Sequence, residues 1–204
     1  MALLAKDPTN VIITGVGGQG NVLASRILGN LLSMQGLSIT IGETFGASQR
    51  GGSVASHLRV SAKGAWSPQI PKGRADLVVA LEPIEALRIL AEYGNKEVTV
   101  ITNTRSIFPV GCISGELAYP TMDQVKGWLN EFSKKAYFID ATNEAMKLGS
   151  PIFGNIMMIG ALSAVGTLPV TREGFFTAVS AAMAASKVDI NMQAFDIGVA
   201  MIQN

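Results

Sequence analysis

The residues best suited to chemistry in this chain are glycines. Gly15, Gly17 and Gly20 stand at G-x-G-x-x-G spacing, with Gly18 and Gln19 between them, directly after the strand-like run "NVIIT" and ahead of an apolar helical run. A loop so placed points backbone N–H groups, backed by a helix dipole, at a phosphate or another anionic group. The same glycines would also serve a tight turn and close helix–sheet packing with no ligand at all. A second polar cluster, "SQRGGS", sets Ser48, Gln49, Arg50, Gly51, Gly52 and Ser53 side by side. Here the Arg50 guanidinium could fork onto a carboxylate or phosphate while the two glycines let the backbone approach. The plainer reading is a turn between antiparallel strands with an exposed arginine.

Other candidates are few. His57 is the only histidine and Cys112 the only cysteine, so no nucleophile, base and acid set is assembled by local spacing. His57 reads as a structural residue on the polar side of a strand, and Cys112 as a small buried thiol. One cysteine excludes an internal disulfide and any iron–sulfur or zinc site built from several cysteines of this chain alone. Glu43 lies roughly 20 residues past the last glycine, where a dinucleotide-binding domain keeps the acid that holds an adenine ribose. That spacing keeps a stand-alone nicotinamide-dependent oxidoreductase open as an alternative. Asn155, and likewise Asn191, is an amide inside an apolar helix and needs a partner on a neighbouring loop or chain.

These residues must be held by a scaffold of 204 residues, enough for one domain spanning 1–204 with a sizeable core. Charged residues make up 15% and hydrophobic ones 48%; so little charge leaves apolar surface for a partner. The balance of 16 Lys and Arg against 15 Asp and Glu, with no basic cluster, gives nucleic acid no footprint. The longest uncharged run, between Lys147 and Arg172, is interrupted by Pro151, Gly154, Gly166 and Pro169. It leaves about 14 helical residues, or roughly 21 Å, short of a membrane core of about 30 Å. A buried helix is expected there, and a cytoplasmic protein without a secretory signal.

Apolar periodicity gives the order of elements. Residues 10–14 form a buried strand, 21–35 a helix stopped by Gly36, and 37–43 a second strand. The stretch from Thr44 to Gly52 is too short for a parallel crossover, so "SVASHLRVS" runs back antiparallel, with Val54, Leu58 and Val60 packed and His57 and Arg59 turned to solvent or a partner. Strands at "ADLVVALE", "EVTVITNT" and "AYFIDA" alternate with helices at 83–93 and 122–134. Residues 151–204 are helical and rich in small side chains. The expectation is a three-layer α/β/α sandwich, Rossmann-like at its N-terminus, with a mostly parallel sheet carrying one antiparallel strand and a helical C-terminal third.

Taken together, "GVGGQGNVLASRILG", "GETFGASQRGGSVASHLRVS", "ADLVVALEPIEALR", "GNIMMIGALSAVGTLP" and "NMQAFDIG" resemble the gamma subunits or domains of 2-oxoacid:ferredoxin oxidoreductases over nearly the whole chain. The "SQRGGSV" form resembles most the small (beta) subunit of indolepyruvate ferredoxin oxidoreductase. The resemblance implies a lid-like, non-catalytic subunit of a complex that oxidatively decarboxylates a 2-oxoacid to an acyl-coenzyme A. Thiamine diphosphate, Mg and iron–sulfur clusters are then expected on a larger partner subunit, with ferredoxin as electron acceptor and this chain inactive alone. It implies engagement of coenzyme A, whose phosphates the glycine loop (Gly15, Gly17, Gly18, Gln19, Gly20) and Arg50 would suit, and a segment from Ser48 to Ser53 that faces the active site, without settling which of these residues touch a ligand. A purely structural assembly subunit is the second alternative.

Overall fold

The computed structural model describes residues 4–46 and 51–203. Six strands form one sheet: β1 (Thr9–Val16), β2 (Ser38–Phe45), β3 (Ser53–Ser61), β4 (Leu77–Ala80), β5 (Thr99–Asn103) and β6 (Lys135–Ile139), in the spatial order β2-β3-β1-β4-β5-β6. β4, β5 and β6 run parallel to β1, whereas β3 runs antiparallel to both its neighbours, β1 and β2. The sheet is therefore mostly parallel with one reversed strand, as expected. What the short 44–52 connection did not reveal is that β3 pairs on both edges and inserts between β1 and β2.

The helices are α1 (Asn21–Met34), α2 (Pro83–Tyr93), α3 (Val110–Ile113), α4 (Met122–Phe132), α5 (Ala141–Lys147), α6 (Gly154–Val165), α7 (Arg172–Ala182) and α8 (Ala185–Gln203). One core lies under α1 and α5–α8, built on Val11, Ile13, Leu58 and Val79; the other, under α2 and α4, is built on Ile12, Val78 and Val100. Alternate residues of β1 and β4 thus enter opposite cores, which is why these strands read as continuous apolar runs. No helix among the described residues is long and apolar enough to cross a membrane.

Helix ends follow local chemistry. α1 stops at Gly36, whose φ of +83° lets the Leu37 N–H reach the Leu32 carbonyl at 3.3 Å. α2 starts with Pro83 behind the Glu82 cap, and α4 with a Thr121–Gln124 capping box. α6 is buried on every side, and it meets α8 at two glycines. A β-carbon on Gly160 would stand 2.1 Å from the Phe195 carbonyl oxygen, and one on Gly198 would stand 2.0 Å from that of Met157.

Two readings need correction. The polar side of β3 does not meet solvent or a partner: Tyr93 of α2 covers His57 and the segment after β3 covers Arg59, leaving them 2% and 7% exposed. His57 sits edge-on against Tyr93 with ring centroids 4.9 Å apart, and Arg59 bonds Asn10 Oδ1 and lies under Trp66. Burial lowers the His57 pKa, with Glu92 opposing. Cys112, read as a buried thiol, is half-exposed on α3, a four-residue helix whose side chains reach neither core.

Candidate functional site

The site lies at the carboxyl edge of the sheet, where the sequence placed the glycine loop. The neighbouring strands β1 and β4 send their following helices, α1 and α2, to opposite faces, and a crevice opens where the chain directions part. Its volume is about 670 Å³, and its walls include Gly17, Gly18, Gln19, Asn103, Arg105 and Asn155. A more polar hollow of about 730 Å³ adjoins it, sharing Arg105, Ile107 and Asn143. An apolar groove of about 600 Å³ between α2 and α4, lined by Trp128 and Phe132, shares none of these residues.

The glycines of the loop are required in different ways. Gly18 and Gly20 have φ of +105° and +86°, which a side chain disfavours. A β-carbon on Gly18 would meet open space, whereas one on Gly20 would stand 2.2 Å from Asn155 Nδ2. Gly15 has no positive φ, yet a β-carbon there would come within 2.6 Å of Gln19 Oε1. Gln19 spends both ends of its amide on the scaffold: Oε1 accepts the Val16 N–H at 2.7 Å and Nε2 donates to the Leu81 carbonyl at 2.9 Å. It fixes the loop against β4.

The structure brings Gly51, Gly52 and Ser53 of the second cluster to the same edge. Gly17 N–H donates to the Gly52 carbonyl at 2.8 Å, and Gly51 N–H to the Gly17 carbonyl at 3.4 Å. Ser53 opens β3 opposite Val16. Ser48, Gln49 and Arg50 lie outside the described residues.

Asn155 touches the glycine loop, as an amide in that helix must. Its Nδ2 donates to the Gly20 carbonyl at 3.4 Å, while Oδ1, on a side chain 1% exposed, has no partner among the described residues. Asn21 Oδ1, at the first residue of α1, is likewise buried and unpaired. Asn191 satisfies itself within α8 by donating to the Lys187 carbonyl at 2.8 Å.

Sequence reasoning missed Arg105. It follows β5 at the carboxyl edge, is exposed, and makes no ion pair among the described residues. Its signal was positional: in a parallel sheet, polar residues just past a strand's carboxyl end face the crevice. The edge also carries two buried carboxylates. Glu82 Oε1 accepts the Ile107 N–H at 3.2 Å and the Tyr119 hydroxyl, and Glu85 accepts Ser53 Oγ at 2.5 Å and Arg88 Nη1 at 3.0 Å. Burial raises the Glu85 pKa, with Ser53 and Arg88 opposing; burial and the Glu82 contact raise that of Tyr119.

This geometry suits binding. The first-turn N–H groups of α1, with no acidic side chain in that turn, and the Arg105 charge favour an anion. The buried Asn155 oxygen favours a hydrogen-bond donor. No group of three metal-ligating side chains occurs among the described residues. Glu43 is partly exposed on β2, with β3 intervening, so it stands two strand spacings, roughly 10 Å, from β1. In a dinucleotide-binding domain that acid is one spacing away, and the inserted strand removes the geometry a nicotinamide reading needs.

An α/β sandwich with a glycine-lined crevice at its switch point is the class of protein that fold and site define. The chain belongs to the pyruvate ferredoxin/flavodoxin oxidoreductase family, whose model matches residues 10–201. It is 37% identical to the indolepyruvate oxidoreductase subunit IorB of Thermococcus kodakarensis over 191 residues, 93% of this chain and 94% of that one. The IorB subunit of Archaeoglobus fulgidus is also 37% identical over 189 residues, covering 93% and 92%. The gamma subunit of a keto/oxoacid ferredoxin oxidoreductase from Geobacter sulfurreducens shares the fold, with a TM-score of 0.67 at 21% identity over 96% of this chain and 98% of that one. A 2-oxoglutarate:ferredoxin oxidoreductase from Magnetococcus marinus, solved with 2-oxoglutarate, coenzyme A and succinyl-CoA, matches with a TM-score of 0.74 at 17% identity, over 97% of this chain and 31% of that one. The family expected from the motifs is the family found.

Proposed function

We propose that this chain is the small subunit of a thiamine-dependent 2-oxoacid:ferredoxin oxidoreductase whose substrate is indolepyruvate or another aryl pyruvate, and that its switch-point crevice takes coenzyme A. The observation that carries the reading is the crevice itself, where the α1 N-terminus and Arg105 suit phosphates and the unpaired, buried Asn155 oxygen suits an amide or hydroxyl donor. Coenzyme A has all three groups, and when bound it supplies the thiol that accepts the acyl group. The names of the relatives support the aryl pyruvate, and the coenzyme A complex of a structural neighbour supports the ligand.

On this reading the chain binds and orients, and the larger partner carries thiamine diphosphate, Mg and the clusters. The single cysteine accords with that division. Gln19 and Gly52 hold the glycine loop against the sheet, while Arg105 faces it across the crevice and places fixed charge where phosphates would lie.

Purification of the tagged chain at native level from its own host tests the assembly, and calorimetric titration of the complex with coenzyme A tests the crevice. The expected outcome is a large thiamine- and iron–sulfur-bearing partner and saturable coenzyme A binding that Arg105→Ala weakens. Recovery of the chain without such a partner would overturn the subunit reading. Binding indifferent to Arg105 would overturn the placement of coenzyme A.

A further inference from the structure

The loops around the crevice are tied to one short stretch, residues 81–85. The Leu81 carbonyl accepts from Gln19 Nε2 at 2.9 Å and from Asn103 Nδ2 at 3.1 Å, so the two crevice walls meet on a single oxygen. Glu82 caps α2 by accepting the Glu85 N–H at 3.0 Å and holds the 104–121 segment through Ile107 and Tyr119. Glu85 does something different. It lies in the first turn of α2, only 5% exposed, and one oxygen of its carboxylate, Oε2, reaches off the helix to Ser53.

Capping does not explain that burial, since Glu82 already caps α2. Burying a carboxylate is costly unless it is paired and hydrogen-bonded. Glu85 is paired on one oxygen by Arg88 and on the other by Ser53, and the positive end of the α2 dipole lies beside it. Ser53 follows Gly52, whose carbonyl accepts the Gly17 N–H. A hydrogen-bonded line therefore runs from α2, on one face of the sheet, around its carboxyl edge to the loop that opens α1 on the other face.

We propose that Glu85 is a positioning residue: through Ser53 it fixes Gly52, whose carbonyl holds Gly17, and so sets the glycine loop at the crevice wall. The consequence for ligand affinity rests on the reading of the crevice as the coenzyme A site, whereas the consequence for loop order does not.

The test uses the complex assembled with its large subunit, carrying Glu85→Gln, Ser53→Ala, Ser53→Thr or the Glu85→Gln/Ser53→Ala pair. Amide exchange over residues 15–20 should quicken by about ten- to a hundredfold in either Glu85→Gln or Ser53→Ala, the loss of one charge-assisted bond. The pair should do no worse than either single variant, and Ser53→Thr, which keeps the hydroxyl, should restore slow exchange. KM for coenzyme A should rise by a larger factor than kcat falls. Unchanged exchange at 15–20, or additive effects in the pair, would overturn the line from Glu85 to Gly17. Quickened exchange with an unchanged KM for a coenzyme A that still saturates would overturn its bearing on the ligand. A wild-type complex that coenzyme A does not saturate would count against the crevice reading, and the exchange measurements would still decide the tether.

Discussion

The three structurally distinct glycines of the loop allow a graded prediction, because alanine fails at each for a different reason. At Gly18 a methyl meets open space, and the cost is the φ of +105° alone, about 1–2 kcal/mol. At Gly15 it displaces the Gln19 amide, 2.6 Å away, so that the Val16 N–H and the Leu81 carbonyl lose their bonds and the cost is about 2–4 kcal/mol. At Gly20 a left-handed φ adds to a contact of 2.2 Å with Asn155, a side chain walled in at 1% exposure, for about 2–5 kcal/mol. Each kcal/mol lowers the Tm of a chain of this size by roughly 2–4 °C, so thermal unfolding followed by circular dichroism separates Gly18→Ala from the other two. Because Gly18 lines the crevice and its methyl displaces no protein atom, coenzyme A affinity should suffer more than stability in that variant. Asn155→Ala should rescue part of the Gly20→Ala loss and none of the Gly18→Ala loss. If Gly18→Ala unfolds as readily as Gly20→Ala, or if Asn155→Ala rescues both equally, the geometric account of the loop is wrong.

Other outcomes follow from single contacts. Gly160→Ala and Gly198→Ala each drive a β-carbon into the backbone of the facing helix, which no rotamer relieves; each should cost about 3 kcal/mol or more and lower the Tm by roughly 6 °C or more in calorimetry. The folded-state pKa of His57 is lowered, so below the unfolded value of about 6.5 the unfolded chain takes up a proton that the folded one refuses. Stability present above that pH should therefore be lost as pH falls through and below it. His57→Gln should flatten the slope in denaturant titrations at successive pH values. Arg105→Lys keeps the charge and loses the fork, so it should recover most coenzyme A affinity if only charge matters and little if phosphate is held by two parallel bonds, as calorimetry would show.

Much of the scaffold was legible because its cues are local. The run "NVIIT", the Pro83 start of α2 and the Gly36 stop of α1 each state their structure within a turn or a strand. The short 44–52 connection likewise forced β3 antiparallel. Where β3 sits was not local, since a hairpin with β2 is compatible with β3 on the outer edge. The insertion beside β1 is a pairing of residues some 40 positions apart, such as Ile13 with Ser56. The same cause misled the reading of β3's faces. Alternation distinguishes two sides of a strand, but a strand covered on both sides can still carry histidine and arginine inward if Tyr93 of a helix and Trp66 of a loop lie over them. Beyond Ala141, where the strand "AYFIDA" ends, α5 has no reading in the sequence, because seven residues show too little periodicity; Asp140, which caps it by accepting the Asn143 N–H, is the available cue.

The candidate site divides along the same line. Glycine announces itself, since positive φ and missing β-carbons are properties of single positions, and Gly18 and Gly20 were legible for that reason. Arg105 and Asn155 come together from segments 50 residues apart, and no spacing in the sequence joins them. Glu82 and Glu85 are the more instructive case. Acids at the N-cap and in the first turn of a helix need no further explanation than the cap and the dipole, and that local sufficiency hides their second task. Their burial is what betrays it: a solvated first-turn glutamate would complement α2 equally well and at lower cost. Two carboxylates 1% and 5% exposed at one helix end mean that something else requires their oxygens, and the loops they hold are the ones that form the crevice.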